Sequence, residues 1–100
     1  MLNLGHASGR WVRLGFGEMK SAMWYVYLLK GSDRRTYTGC TSDLKDRFER
    51  HKKGNVPATK GRLPVKLISY FAFNDKYKAF EFEKYLKSAS GRAFLKKRLI

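Results

Sequence analysis

Residues 24–39, WYVYLLKGSDRRTYTG, decide the architecture. Trp24, Tyr25, Val26, Tyr27, Leu28 and Leu29 are aromatic, β-branched or aliphatic, the side chains that suit a pleated surface, and Gly31-Ser32-Asp33 lets a backbone reverse. The stretch predicts two short strands joined by a polar turn. Alternation puts Tyr25, Tyr27 and Leu29 on one face and Trp24, Val26 and Leu28 on the other. On paired strands, Tyr27 and Tyr37 can then face a common pocket. An aromatic hairpin is by itself ordinary core, so the weight of these tyrosines depends on the segment after β-turn and second strand.

That segment is a helix. In 40–51, CTSDLKDRFERH, the Thr41-Ser42-Asp43 group caps free backbone amides and places an acid at the positive helix end. Leu44, Phe48 and His51 recur at helical spacing as an inward stripe, with Arg47 beside it. At the core border Arg47 needs an anion or several acceptors for its five donors; on the surface it would pair with Asp43 or Asp46.

The remaining chain reads as loop, strand and two helices. Residues 52–64, KKGNVPATKGRLP, are a loop by their Gly, Pro and Asn content. Its basic residues Lys52, Lys53, Lys60 and Arg62 suit either a clamp on a phosphate backbone or a solvated linker. Residues 65–73, VKLISYFAF, form a third strand, apolar on both faces, which predicts the central strand of a sheet covered by helices. Asn74-Asp75 caps a second helix over 76–88, with Ala79, Phe80, Phe82, Tyr85 and Leu86 on the buried side. Glu83 lies among these apolar neighbours, one turn from Ala79 and from Lys87, and a carboxylate there needs a cation, either a side chain or a metal. A last helix over 92–99 turns Ala93, Phe94 and Leu99 inward and Arg92, Lys96, Lys97 and Arg98 outward. The order strand, strand, helix, strand, helix, helix is a compact α+β domain.

Composition sets the class of partner. The 100 residues suit one domain with a modest core, and a net charge of +14 on a folded, 43% hydrophobic chain favours polyanions. Nucleic acid leads over an anionic membrane surface. A membrane partner would need a basic amphipathic helix or a long apolar span, and no stretch is long enough to cross a bilayer. Residues 1–22 contain glycines, no sustained periodicity and no unbroken apolar run of a secretory signal, so they read as a poorly ordered extension and the protein as cytoplasmic. Arg10, Arg13, Lys20 and Glu18 are the only formal charges there, which leaves +12 on the domain at 23–100. The single cysteine, Cys40, excludes an internal disulfide and a multi-cysteine zinc site and reads as a small packed hydrophobe, while His6 and His51 fit no zinc motif.

Tyr25-Val26-Tyr27 and Tyr37-Thr38-Gly39, followed by Asp43-Leu44-x-x-Arg47-x-x-x-His51, resemble the paired signature of the GIY-YIG nuclease superfamily, above all its short stand-alone bacterial members. The likeness runs from 23 to 100. It implies an α/β sandwich with the GIY-YIG endonuclease-like fold: a three-stranded antiparallel sheet flanked by helices, in the order β-β-α-β-α-α. It also implies a chemistry, in which a water deprotonated with help from a motif tyrosine attacks a DNA phosphodiester. One divalent metal on a glutamate, Mg²⁺ or Mn²⁺, balances charge on the leaving oxygen.

By position, Tyr27 and Tyr37 match the two motif tyrosines, and Arg47 the arginine that grips the scissile phosphate. Glu83 matches the metal-binding glutamate, and His51 an outer supporting position or general base. Gly39, Thr41, Lys52, Lys53, Lys60, Arg62 and Lys87 fall to substrate binding. A tyrosine hydroxyl is a poor base at neutral pH unless its anion is stabilised, which a guanidinium and a metal would do. Gly39 serves either a close approach to the site or a positive φ at the strand end. Many catalytic members carry an asparagine downstream of the metal glutamate, and residues 87–92, KSASGR, have none. The resemblance thus implies an endonuclease acting on DNA in repair or in processing branched or single-stranded forms. Two further readings stand beside it: a non-catalytic module that keeps the pocket as a phosphate grip, and an RNA-binding protein resting on charge and aromatics alone.

Overall fold

The computed structural model describes residues 23–100, and the extension read at 1–22 lies outside them. Strand β1 (Trp24–Lys30) pairs antiparallel with β2 (Thr36–Thr41) on one side and with β3 (Lys66–Phe73) on the other, so the sheet order is β2-β1-β3. Helix α1 (Leu44–Lys52) lies between β2 and β3 in sequence, and α2 (Lys76–Leu86) and α3 (Ala89–Arg98) close the chain. This is the expected three-stranded antiparallel sheet with three helices in the order β-β-α-β-α-α.

Three expectations are corrected. The central strand is β1, in which Val26, Tyr27, Leu28 and Leu29 are all buried, whereas β3 is an edge. Apolar residues on both faces of β3 reflect helical layers above and below the sheet, a demand that falls on edge and centre alike. The last helix begins at Ala89, capped by the Ser88 hydroxyl accepting from the Gly91 amide at 3.2 Å, and buries Gly91 and Leu95 while Ala93 faces out. On α2, Phe80 and Tyr85 are exposed rather than buried.

The alternation of β1 divides the interior in two. Val26 and Leu28 join Ala79, Leu86 and Leu95 under α2 and α3, with Trp24, Cys40, Ile68 and Phe82 packed around them. Tyr27 and Leu29 join Leu44 and Val65 on the α1 face, with Tyr25, Tyr37, Phe48 and Tyr70 at the margin. The register of β3 slips between Leu28 and Leu29, which pair with Ser69 and Leu67, so Ile68 is an extra residue and Leu67 and Tyr70 reach the same cluster. On α3, Gly91 packs so closely that a Cβ would overlap the Tyr85 carbonyl at the end of α2.

Candidate active site

The site grows from the β1–β2 pairing. Tyr27 stands opposite Gly39, and Leu29 opposite Tyr37. A Cβ built on Gly39 would collide with the Tyr27 hydroxyl and ring, and would lie 2.8 Å from Cε1. Gly39 is therefore used for close approach; among the described glycines a positive φ belongs to Gly54.

Helix α1 brings His51 to the same place. The Asp43 carboxylate caps the helix, accepting from the Asp46 amide at 3.1 Å, and Thr41 is buried at its entry, its hydroxyl accepting from the Asp43 amide at 3.0 Å. Leu44 and His51 point inward, as the spacing predicts, and His51 is fully buried. Its ring centroid lies 5.6 Å from that of Tyr27 and 5.2 Å from that of Tyr37, and the two tyrosine rings are 6.2 Å apart. The Tyr27 hydroxyl is 2.9 Å from Nε2 of His51.

The other imidazole nitrogen has a partner that sequence reasoning missed. Gly54, at φ +78°, ends α1, its amide donating to the His51 carbonyl at 3.1 Å, and the returning loop places the buried Thr59 hydroxyl 2.7 Å from His51 Nδ1. Periodicity cannot mark one hydroxyl in a loop. The only signal available is that a buried imidazole needs two partners, and a hydrogen-bonding residue must come from somewhere.

Charge and burial fix the protons. Burial raises the Tyr27 pKa to about 12, helped by the neighbouring Tyr37 hydroxyl and the Glu83 carboxylate and opposed by Arg47, which donates toward the phenol oxygen. Burial, then the positive charge of Arg47, lowers the His51 pKa. Phenol and imidazole are thus both neutral at pH 7. Both contacts of the neutral pair are satisfied when the Tyr27 O–H donates to Nε2 and His51 Nδ1–H donates to the Thr59 hydroxyl.

Arg47 forms no ion pair among the described residues, and Asp46 pairs with Arg50 instead, at 3.1 Å. Glu83 reaches the sheet from α2 with a side chain 23% exposed, paired to Lys87 at 3.0 Å. Cys40, on β2, has a thiol pKa raised by burial and by Glu83 and opposed by Arg47 and Lys87. Arg47 on α1 and the Glu83–Lys87 pair on α2 thus lie near enough to β2 for each charge to act on the Cys40 thiol. Tyr37 is half-buried there, and its hydroxyl has no hydrogen-bond partner among the described residues.

The basic loop divides. Lys53 and Lys60 are exposed and make no ion pair among the described residues. Lys52 pairs with Glu49 at 3.2 Å and lies over the Phe48 ring. Arg62 is committed to structure: its Nε pairs with Asp33 at 3.0 Å, and its carbonyl accepts from the Ser32 amide at 2.9 Å, tying the loop to the hairpin turn. The Arg35 amide and Arg62 hold the Asp33 carboxyl below its usual range. No helix among the described residues is long and apolar enough to cross a membrane.

The described residues contain no cluster of three or more His, Cys, Asp or Glu that could hold a metal by themselves. Among the described residues Glu83 is the carboxylate that the site could offer a metal, a hard donor that suits Mg²⁺, an ion commonly held by one or two carboxylates plus substrate phosphate and waters.

Comparison with known proteins finds relatives of this chain. The family model described as the GIY-YIG catalytic domain matches residues 23–98. A UPF0213 protein of Streptococcus agalactiae is 42% identical over 72 residues, covering 71% of this chain and 82% of its own. A UPF0213 protein of Clostridium perfringens is 42% identical over 64 residues, covering 63% and 69%. Among solved structures, the solution NMR structure of a UPF0213 protein from Bacillus halodurans is similar at 33% identity and a TM-score of 0.49, covering 75% of this chain and 83% of that one.

Proposed function

The chain belongs to the GIY-YIG catalytic-domain family, and from that premise we propose that it is a metal-dependent endonuclease that hydrolyses DNA phosphodiester bonds. The observation that carries the reading is the packing of both motif tyrosines against His51 of α1, with ring centroids 5.2 to 6.2 Å apart and the Tyr27 hydroxyl 2.9 Å from His51 Nε2.

Each residue has a task that its surroundings suit. Arg47, which no carboxylate pairs among the described residues, binds the scissile phosphate, where negative charge grows in the transition state. Tyr37 meets the attacking water, since its hydroxyl, unlike that of Tyr27, has no hydrogen-bond partner among the described residues. Tyr27 is a fixed phenol, held by His51 and Thr59 and oriented by Arg47. Glu83 would hold the metal, and Lys87, which neutralises the carboxylate in the free protein, would then be free to meet substrate phosphate. A divalent cation bound there supplies charge balance at the leaving oxygen. Water oxygen bonds to phosphorus as the ester P–O bond breaks; the proton that the water loses passes by way of the Tyr37 hydroxyl to solvent, and the departing oxygen takes one up from solvent.

The rival reading, a nucleic-acid grip without turnover, draws on the Glu83–Lys87 pair, because a carboxylate already neutralised needs no metal. A cleavage assay with Mg²⁺ or Mn²⁺ on single-stranded, duplex, flapped and branched DNA separates the two. The nuclease reading expects metal-dependent products that disappear in Glu83→Ala and fall sharply in Tyr37→Phe. Equal cleavage by wild type and both variants sinks the mechanism, and salt-sensitive binding without product favours the grip.

A further inference from the structure

Beyond the candidate site, α2 carries a second cluster on its outward face. Tyr77 is 69% exposed and Phe80 42%. The Phe80 ring meets Trp24 edge-on at 5.5 Å and Tyr77 at 6.3 Å, while Lys76 Nζ lies 5.7 Å from the Trp24 centroid and 5.5 Å from that of Tyr77. Three rings and an ammonium group thus form one continuous surface feature. Exposed Lys84 comes one helical turn after Phe80 and two after Tyr77, and Glu83 comes one turn after Phe80 on the flank that leads to the site.

The charges select the occupant. A second copy of a chain carrying +14, docking through this patch, would set Lys76 and Lys84 against like charges. A polynucleotide strand offers the opposite match, with flat bases for the rings and phosphates for the ammonium groups. In a duplex the base faces are already stacked on one another, so only unpaired bases reach the rings.

We propose that Tyr77 and Phe80, flanked by Lys76 and Lys84, stack unpaired bases of a DNA strand whose backbone is presented to the Glu83 side of α2. The inference rests on the nucleic-acid reading of the candidate site and specifies its substrate class: DNA that is single-stranded or locally unpaired beside the cut. Tyr77 supplies the larger share, being the more exposed ring and touching the core least.

The test is fluorescence anisotropy of the full chain, without divalent metal, on a labelled single strand, the same strand with abasic sites, and the corresponding duplex. Tyr77→Ser is expected to weaken single-strand binding about tenfold and leave duplex binding unchanged, with Tyr77→Trp restoring it; the wild type should bind the abasic strand as weakly as Tyr77→Ser binds the normal one. Circular dichroism verifies the fold of each variant. The stacking inference is overturned if Tyr77→Ser binds the single strand like wild type, or if wild type ignores base removal. It is likewise overturned if Tyr77 matters only for binding phosphatidylglycerol vesicles. Wild type that binds duplex with no preference for single strands defeats this inference alone, whereas folded wild type that binds neither DNA at low salt defeats the nucleic-acid reading with it.

Discussion

The Tyr27 hydroxyl lies 2.9 Å from Nε2 of His51, and both side chains are fully excluded from solvent. Neither group carries a charge at neutral pH, so the pair stores orientation rather than an ion. With Thr59 on the far side of the imidazole at 2.7 Å, the three form a closed line of hydrogen bonds from the loop to the sheet.

That line makes stability depend on pH in a defined direction. The native His51 pKa is lowered, so between the ordinary value of 6.5 and the native value the unfolded chain binds a proton that the folded chain does not. The contribution is complete above pH 6.5 and is lost as pH falls toward the native value. Urea midpoints measured from pH 7.5 downward should decline through this window, and His51→Gln should flatten that part of the profile.

The alkaline limb has the opposite sign. With Tyr27 raised from 10.0 to about 12, the unfolded chain gives up its proton first, and stability falls as pH rises through that interval. An ultraviolet titration should find one tyrosine ionising last, near pH 12, and Tyr27→Phe should remove it.

Thr59→Val preserves shape and removes the hydroxyl, leaving buried His51 Nδ1 without its partner. A loss of about 1–3 kcal/mol is expected, with Thr59→Ser recovering most of it. Nitrogen chemical shifts of His51 supply a readout that packing alone would not move: the Nδ1–H tautomer should dominate in wild type and lose that dominance in Thr59→Val.

Gly39→Ala places a methyl where the Tyr27 ring and hydroxyl lie. The ring must shift away from His51, at a cost of about 1–3 kcal/mol from overpacking. Cleavage of DNA should fall further than stability does, which parallel denaturation and activity assays would reveal.

Gly91→Ala is the control for a scaffold effect. An interior helical Gly→Ala change ordinarily stabilises by about 1 kcal/mol, but here the added methyl meets the Tyr85 carbonyl and Leu86 Cα. The sign should reverse, with a loss of about 1–3 kcal/mol, while the His51 tautomer stays that of wild type.

The parts of the molecule that obey a period are legible in its sequence. Alternation along β1 separates Tyr27 from Val26, and helical spacing puts Leu44 and His51 inward. Caps at Asp43 and Asp75 are visible as residue types that accept from free amides, and the Asp75 carboxylate does accept from Tyr77 at 2.8 Å. Lateral order in the sheet is not legible, because β1 and β3 are both apolar runs and pairing depends on distant partners. Thr59 and the Arg62–Asp33 pair escape for the same reason: each contact joins segments that no local pattern links. Phe80 and Tyr85 on α2 depart from expectation because an aromatic side chain does not always seek the interior.

The division of β1 between two interiors bears on which genetic changes the lineage can accept. A substitution on this strand alters one side chain, but inserting or deleting a single codon would send every later residue of the strand to the opposite compartment, placing Val26 or Leu28 where Tyr27 meets His51. Length variation among descendants should therefore gather in the 31–35 turn and the 53–58 segment, with the strand itself constant in length while its residues drift.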